Sequence, residues 1–122
     1  MELSKLVQHA GKLEDAKAYS FPELEGEIAA IKLRFQHLSC AVQLLESTDE
    51  ISLSEHIDLK DLKESNASLI FHNCVGSELV WCWSMVNNQG YLDGLKFQFL
   101  NDIAFELVAI ASSIKQLKVT ES

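Results

Sequence analysis

Seven apolar residues recur at alternating steps of four and three positions in the first half of the chain. They are Leu24, Ile28, Ile31, Phe35, Leu38, Val42 and Leu45. Because this period lines side chains up along one seam of an α-helix, the sequence predicts a long helix over about residues 22–47. Ser20 followed by Glu23 predicts a capping box at its start. The seam either packs inside its own domain, which is the more common arrangement, or pairs two copies of the chain in a homodimer.

Helical periodicity also marks the two ends of the chain. Near the start, the spaced apolar residues are Leu3, Leu6, Val7, Ala10 and Leu13. Near the end, they are Ile103, Leu107, Ile110, Ile114 and Leu117. These stripes predict an N-terminal helix that forms a hairpin with the long helix, and a C-terminal helix over about residues 101–118. The polar, acidic residues 47–66 predict a connection with one short helix around residues 54–64.

The middle segment, residues 68–100, decides between two fold classes. Its apolar runs "SLIFHNCV", "ELVWCWSMV" and "LKFQFL" are rich in β-branched and aromatic residues, which favours three antiparallel strands. The stretch "NNQG" then predicts the second turn, with Gly90 at a positive φ angle and Val86 opposite Tyr91. A helical alternative stays open, because a helical stripe is also formed by Leu92, Leu95, Phe99 and Ile103.

Together these elements predict a single domain over residues 1–122, of the α+β class. In this prediction an N-terminal helical hairpin and a C-terminal helix pack on a small three-stranded antiparallel sheet. The alternative is an all-α helical bundle. A length of 122 residues suits one hydrophobic core that needs neither a disulfide nor a metal for its stability.

The charge balance bears on the kind of partner the chain can bind. Ten Lys and Arg residues against eighteen Asp and Glu residues give a formal net charge of −8. This charge repels phosphate backbones and anionic lipid surfaces, so we expect neither a nucleic acid nor a membrane as a partner, and it favours a basic protein instead. The cysteines are odd in number, and no basic segment followed by an apolar one opens the chain. Both features predict a cytoplasmic protein.

Two pairs of carboxylates are the strongest candidates for metal-dependent chemistry. Glu23 and Glu27 are four residues apart on one predicted helix, and Asp102 and Glu106 are four apart on another. The arrangement resembles helical nucleotide pyrophosphohydrolases of the MazG type, and the resemblance implies a metal-dependent hydrolase. The chain departs from that family's Glu-x-x-Glu and Glu-x-x-Asp spacing, and a helix cap and a helix dipole explain Glu23 and Asp102 better than catalysis does. The sequence therefore favours a protein that is not an enzyme and has no cofactor.

The chain's two tryptophans, Trp81 and Trp83, stand two positions apart around Cys82. On a strand they share one face with Met85, opposite Gly94, Lys96 and Gln98 of the next strand, and the predicted register places Trp83 over Gly94. On a helix the two indoles would point in different directions, and beneath a covering helix they would be core. Large aromatic side chains on a partly covered face are typical of binding surfaces.

The predicted partner-binding residues are therefore Trp81, Trp83, Met85 and Lys96. The predicted function is a small acidic protein-binding module, comparable in size and charge to immunity proteins, inhibitors and secretion chaperones. Besides the hydrolase, one further alternative is a small-ligand-binding domain with an apolar pocket between the sheet and the helices.

Overall fold

The computed structural model describes residues 2–45 and 48–119 and consists mainly of β-strands. Its elements are α1 (Leu3–His9), β1 (Leu13–Ser20), β2 (Ala30–Phe35), β3 (Ser39–Leu45), β4 (Glu50–Ser54), β5 (Lys63–Ser65), a 3₁₀ turn (Ile70–Cys74), β6 (Leu79–Val86), β7 (Leu92–Phe99), β8 (Ala104–Ile110) and β9 (Ser113–Lys118). Within the described part of the chain, no helix is long and apolar enough to cross a membrane.

The nine strands form two antiparallel sheets. The first sheet has five strands in the order β4-β3-β2-β1-β5, and the second has four in the order β6-β7-β8-β9. Consecutive strands of the second sheet are neighbours, which makes it a meander of three hairpins. Both sheets contribute side chains to one continuous buried cluster. Several phenylalanine rings pack together in this cluster. Phe71 of the 3₁₀ turn makes edge-to-face contacts with Phe97 and Phe105, with ring centroids 5.1 and 4.7 Å apart.

The predicted α+β class, with its helical hairpin and C-terminal helix, is wrong, and so is the all-α alternative. The seven residues of the predicted seam, Leu24, Ile28, Ile31, Phe35, Leu38, Val42 and Leu45, lie in the β1–β2 loop, in β2, in the following turn and in β3. In β2 and β3 the buried residues larger than alanine follow a period of two, and the four-three pattern misses three of them, Leu33, Cys40 and Leu44. The described residues of this segment therefore form no helical seam that a homodimer could use. Residues 46 and 47, at the end of the predicted helix, lie outside the described residues.

The other predicted helices also need correction. A helix exists over Leu3–His9, but it ends before Leu13, which begins β1. Ser20 ends β1 and caps no helix. The predicted short helix at 54–64 is replaced by the end of β4, a connection and the start of β5. The predicted C-terminal helix is the β8–β9 hairpin.

The β8–β9 turn shows why a helix does not form there. Ala111 and Ser112 have φ angles of 52° and 63°, the left-handed values of a tight hairpin turn. Their N–H groups donate hydrogen bonds of 3.1 and 3.2 Å to the Asp49 carboxylate. That carboxylate is 62 and 63 positions away along the chain, so local sequence patterns could not reveal it.

Two of the three predicted strands in the middle segment are confirmed, namely β6 and β7. The third, predicted from "SLIFHNCV", contains the 3₁₀ turn instead. The "NNQG" turn is also confirmed: Gly90 has a φ of 89°, and the Asn87 side chain accepts hydrogen bonds from the N–H groups of Gln89 and Tyr91. The predicted register is wrong: Val86 lies opposite Leu92, one residue beyond Tyr91, and past the irregularity beside it Trp83 lies opposite Lys96, two residues beyond Gly94.

Candidate protein-binding face

The outer face of the second sheet carries all four residues that the sequence predicts for partner binding. β6 contributes Trp81, Trp83 and Met85, and β7 contributes Lys96. We call this group, together with the side chains beside it on β7, β8 and β9, the aromatic face. Its outward orientation depends on an irregularity in the β6–β7 pairing between Leu79 and Trp81. Leu79 is buried, whereas Trp81 is exposed, so the bulge places these two residues on opposite sides of the sheet.

The two indoles are in contact with each other and remain open to solvent. Trp81 is 47% exposed and Trp83 is 39% exposed. Their ring centroids are 6.2 Å apart with an interplanar angle of 64°, an edge-to-face arrangement. Contacts of this kind add roughly 0.5–1.5 kcal/mol beyond area burial and hold aromatic rings in a defined orientation. The rings therefore form an ordered apolar surface and not a part of the core.

Lys96 completes this surface from the neighbouring strand. It pairs with Trp83 across β6 and β7, and its ammonium nitrogen lies 5.1 Å from the centroid of the Trp83 ring. At a solvent-exposed site such a cation–π contact contributes about 0.5–1 kcal/mol. Lys96 also lies opposite Glu106 of β8, so the centre of the face carries one charge of each sign.

The sequence predicted that Trp83 lies over Gly94. In the structure Met85 occupies that position. A methyl group added at Gly94 would overlap the Met85 Cε atom and would approach the Leu107 carbonyl oxygen at 3.1 Å. The missing side chain thus lets Met85 lie flat on the sheet. Beyond Glu106, the face ends at Leu117 on β9, which is 49% exposed.

The carboxylates predicted as metal ligands are not brought together. Glu23 and Glu27 lie in the β1–β2 loop, Asp102 in the β7–β8 turn and Glu106 on β8. Glu27 forms an ion pair of 2.9 Å with Lys115, and its pKa is lowered by hydrogen bonds from Ser113 and Lys115. Across residues 2–45 and 48–119, no group of three or more His, Cys, Asp or Glu side chains is placed to hold a metal ion. The part of the chain that the structure describes contains no pair of facing helices such as the hydrolase resemblance requires.

The three cysteines are all buried and unpaired in disulfides. Burial raises the pKa of Cys40 and of Cys82 to about 12 and that of Cys74 to about 11. Their thiols are therefore protonated at neutral pH, a state that is neither nucleophilic nor suited to metal binding.

A cavity that the sequence does not predict lies where β1 and β5 meet the loop after β1. Its volume is about 350 Å³. Its walls include Ser20, Phe21, Pro22, Gly26, Lys63 and Ala67. Ser20 is 3% exposed, and its hydroxyl finds no hydrogen-bond partner among the described residues. The one trace of this cavity in the sequence is a serine at an inward position of a strand. That pattern is too common to identify a cavity.

Fold and site together define a class: a two-sheet antiparallel β-protein with paired, exposed indoles on the outer face of its smaller sheet. The chain belongs to a family of unknown function, DUF6334, whose model matches residues 2–122. No curated protein and no solved structure matches the chain.

Proposed function

We propose that this protein is a protein-binding module and that the aromatic face is its binding surface. The observation that supports the proposal most directly is the pair of exposed indoles, held edge-to-face on one side of a sheet. Tryptophan is the residue type most enriched among side chains that dominate binding energies. Its large ring loses little conformational entropy on binding, and here the contacts of Trp83 with Trp81 and Lys96 restrict it in advance.

The partner we propose is a basic protein. The net charge of −8 attracts positively charged proteins and raises their rate of association. Among the described residues, the cation–π contact involves Trp83 and Lys96, and Trp81 has none. The Trp81 ring can therefore accept an arginine or lysine side chain from the partner.

The proposal also includes a cytoplasmic location and a role as an inhibitor, immunity protein or chaperone. A reducing compartment suits three cysteines that are buried and free. Proteins in these roles act by binding. In line with such a role, the described carboxylates are not grouped as metal ligands, and the buried thiols are protonated at neutral pH.

Selection from a phage-displayed library of random peptides would test this function. The immobilised wild-type protein is the bait, and the Trp81→Ala/Trp83→Ala protein is used to remove clones that bind elsewhere. We expect enrichment of peptides rich in arginine or lysine that bind the wild type at least tenfold more tightly than the double variant, a difference of about 1.4 kcal/mol.

Leu24→Ala provides the matched control, since Leu24 is 37% exposed but lies in the β1–β2 loop and not on the aromatic face. It should bind the selected peptides as the wild type does. Failure to enrich any clone that distinguishes the wild type from the tryptophan variant would refute the proposed function.

The cavity beside Ser20 supports a second candidate function, the binding of a small amphipathic molecule. A volume of about 350 Å³ lies within the range of ligand pockets. Phe21 and Pro22 supply an apolar wall, and the Ser20 hydroxyl lacks a partner that a ligand could provide. Unlike the pocket expected from the sequence, this cavity lies between strand ends and a loop, without a helix.

Benzyl alcohol and toluene are suitable probes, because they differ in one hydroxyl group. Protein NMR should show shifts around Phe21 that saturate at a lower concentration for benzyl alcohol, and Ser20→Ala should remove this preference. Equal and unsaturated shifts for both probes would contradict a ligand site.

A further inference from the structure

The cavity beside Ser20 carries two unlike charges that no ion pair uses. Lys63 and Glu25 both belong to its wall, Lys63 at the start of β5 and Glu25 in the β1–β2 loop. Among the described residues, neither forms a salt bridge, whether with the other or with a third side chain. A further charged residue of the wall, Glu64, is already paired with Lys17 at 3.9 Å. One ammonium group and one carboxylate therefore remain for a ligand.

The pairing of β1 with β5 places the ammonium group on the same side of the sheet as the buried hydroxyl. Lys63 is the cross-strand partner of Ser20. Directly opposite residues of an antiparallel pair project from one face, with Cβ atoms roughly 4.5–5.5 Å apart. Ser20 is 3% exposed, and its hydroxyl has no hydrogen-bond partner among the described residues. Two neighbouring donors, one of them charged, are the combination that binds a carboxylate.

The carboxylate of the cavity comes from a different element, the loop after β1. Two successive turns shape this loop, since the Leu24 N–H donates to the Phe21 carbonyl oxygen at 3.0 Å and the Glu27 N–H donates to the Leu24 carbonyl oxygen at 3.1 Å. These turns hold Glu25 in the wall of the cavity. Because Glu25 and Lys63 border the same space without forming an ion pair, the two charges can each contact a different end of one small molecule.

The rest of the wall includes an apolar part, formed by Phe21, Pro22 and Ala67. A volume of about 350 Å³ is near the lower end of the range for ligand pockets and suits one small molecule. A ligand with a single charge would cover the opposite charge of the wall without pairing it, which is unfavourable. A zwitterion pairs both charges.

We infer that the cavity binds a free amino acid with an apolar side chain. The ligand carboxylate accepts hydrogen bonds from the Lys63 ammonium group and the Ser20 hydroxyl, and the ligand ammonium group donates to Glu25. The apolar side chain packs against Phe21 and Pro22. This inference rests on the second candidate function, ligand binding in this cavity, and is independent of the aromatic face.

Phenylalanine, 3-phenylpropionate and phenethylamine separate the contributions of the two charges. All three probes carry a phenyl ring, but 3-phenylpropionate lacks the ammonium group and phenethylamine lacks the carboxylate. In protein NMR titrations of the wild type, we expect phenylalanine to bind about tenfold more tightly than either singly charged probe, because it gains one additional charged contact. The shifts should centre on Phe21 and Lys63.

Two variants assign each charge to a residue. Lys63→Met should weaken phenylalanine and 3-phenylpropionate about tenfold and leave phenethylamine unchanged. Glu25→Gln should weaken phenylalanine and phenethylamine and leave 3-phenylpropionate unchanged. Lys60→Met and Glu23→Gln remove the same charges from exposed residues outside the wall and should bind all three probes as the wild type does. Because Lys63 and Glu25 are exposed, both variants should retain the fold.

Equal affinities of the wild type for the three probes would overturn the inference, and so would a phenylalanine affinity that neither Lys63→Met nor Glu25→Gln lowers. If benzyl alcohol saturates the cavity but phenylalanine gains nothing from its charges, the second candidate function stands and only the amino-acid ligand is refuted. If no probe saturates, both are refuted.

Discussion

Trp83 has a central position on the aromatic face, since it contacts Trp81 along its own strand and Lys96 on the next. Both contacts are made at the surface, where they order the rings without burying them. The stability of the protein and the function of this face should therefore respond separately to mutation. The large phenylalanines of the core, by contrast, support the fold alone.

Replacing either tryptophan with alanine should change the stability little. We expect Trp81→Ala and Trp83→Ala each to lose about 1 kcal/mol or less, a shift of a few degrees in Tm measured by circular dichroism. Phe97→Ala is the contrasting variant, because Phe97 is fully buried against Phe71 and should lose roughly 3–5 kcal/mol. A loss of that size at either tryptophan would show that the residue belongs to the core.

Ionisation of the buried thiols should destabilise the protein at alkaline pH. The pKa of Cys40 and of Cys82 is raised by desolvation from 9.0 to about 12, and for Cys82 additionally by the nearby Cys40. Above pH 9 the unfolded chain therefore releases protons that the folded chain retains. The contribution of the two protonated thiols to the free energy of unfolding is complete below pH 9. It is lost as the pH rises towards 12, by up to about 1.4 kcal/mol per pH unit for each thiol.

Urea unfolding between neutral pH and about pH 10.5 measures this slope. Cys40→Ala/Cys82→Ala, although less stable at every pH, should show a shallower decline above pH 9. Parallel curves for the wild type and the variant would contradict the assignment of the slope to these thiols.

At the scale of elements, the β8–β9 hairpin shows how a distant residue determines a local structure. Its stripe of Ile103, Leu107, Ile110, Ile114 and Leu117 is a valid helical period, yet the chain reverses at Ala111 and Ser112. Neither residue favours a positive φ angle, so the turn depends on the Asp49 carboxylate, which accepts hydrogen bonds from both N–H groups. The strands β6 and β7, in contrast, were predictable because their composition and the asparagine-glycine turn between them are local signals.

Optimising this turn should stabilise the protein. Ala111→Asn/Ser112→Gly introduces the residues that favour two consecutive positive φ angles while retaining the N–H groups that Asp49 binds. We expect a gain of about 1 kcal/mol in the free energy of unfolding and a Tm higher by a few degrees. Asp49→Ala, which leaves both N–H groups without their acceptor, should lose roughly 1–3 kcal/mol. A destabilised Asn-Gly variant would show that the turn is not of this type.

In the molecule as a whole, the sequence predicted which side chains share one sheet face better than it predicted the fold. Trp81, Trp83, Met85 and Lys96 could be placed on one face because the period of a strand relates near neighbours. The two-sheet architecture depends on pairings such as β1 with β5 and on a core shared between sheets, which no local period encodes. The bulge that turns Leu79 inward was likewise invisible, since it depends on the register with β7.

Tryptophan fluorescence with iodide quenching reports whether both indoles lie on an exposed sheet face. Trp81 and Trp83 are the only tryptophans of the chain, so the emission reports on them alone. The exposed fractions of the two indoles predict red-shifted emission and efficient quenching in the native protein. Blue-shifted emission that iodide quenches only after unfolding would place the indoles in the core and contradict the aromatic face.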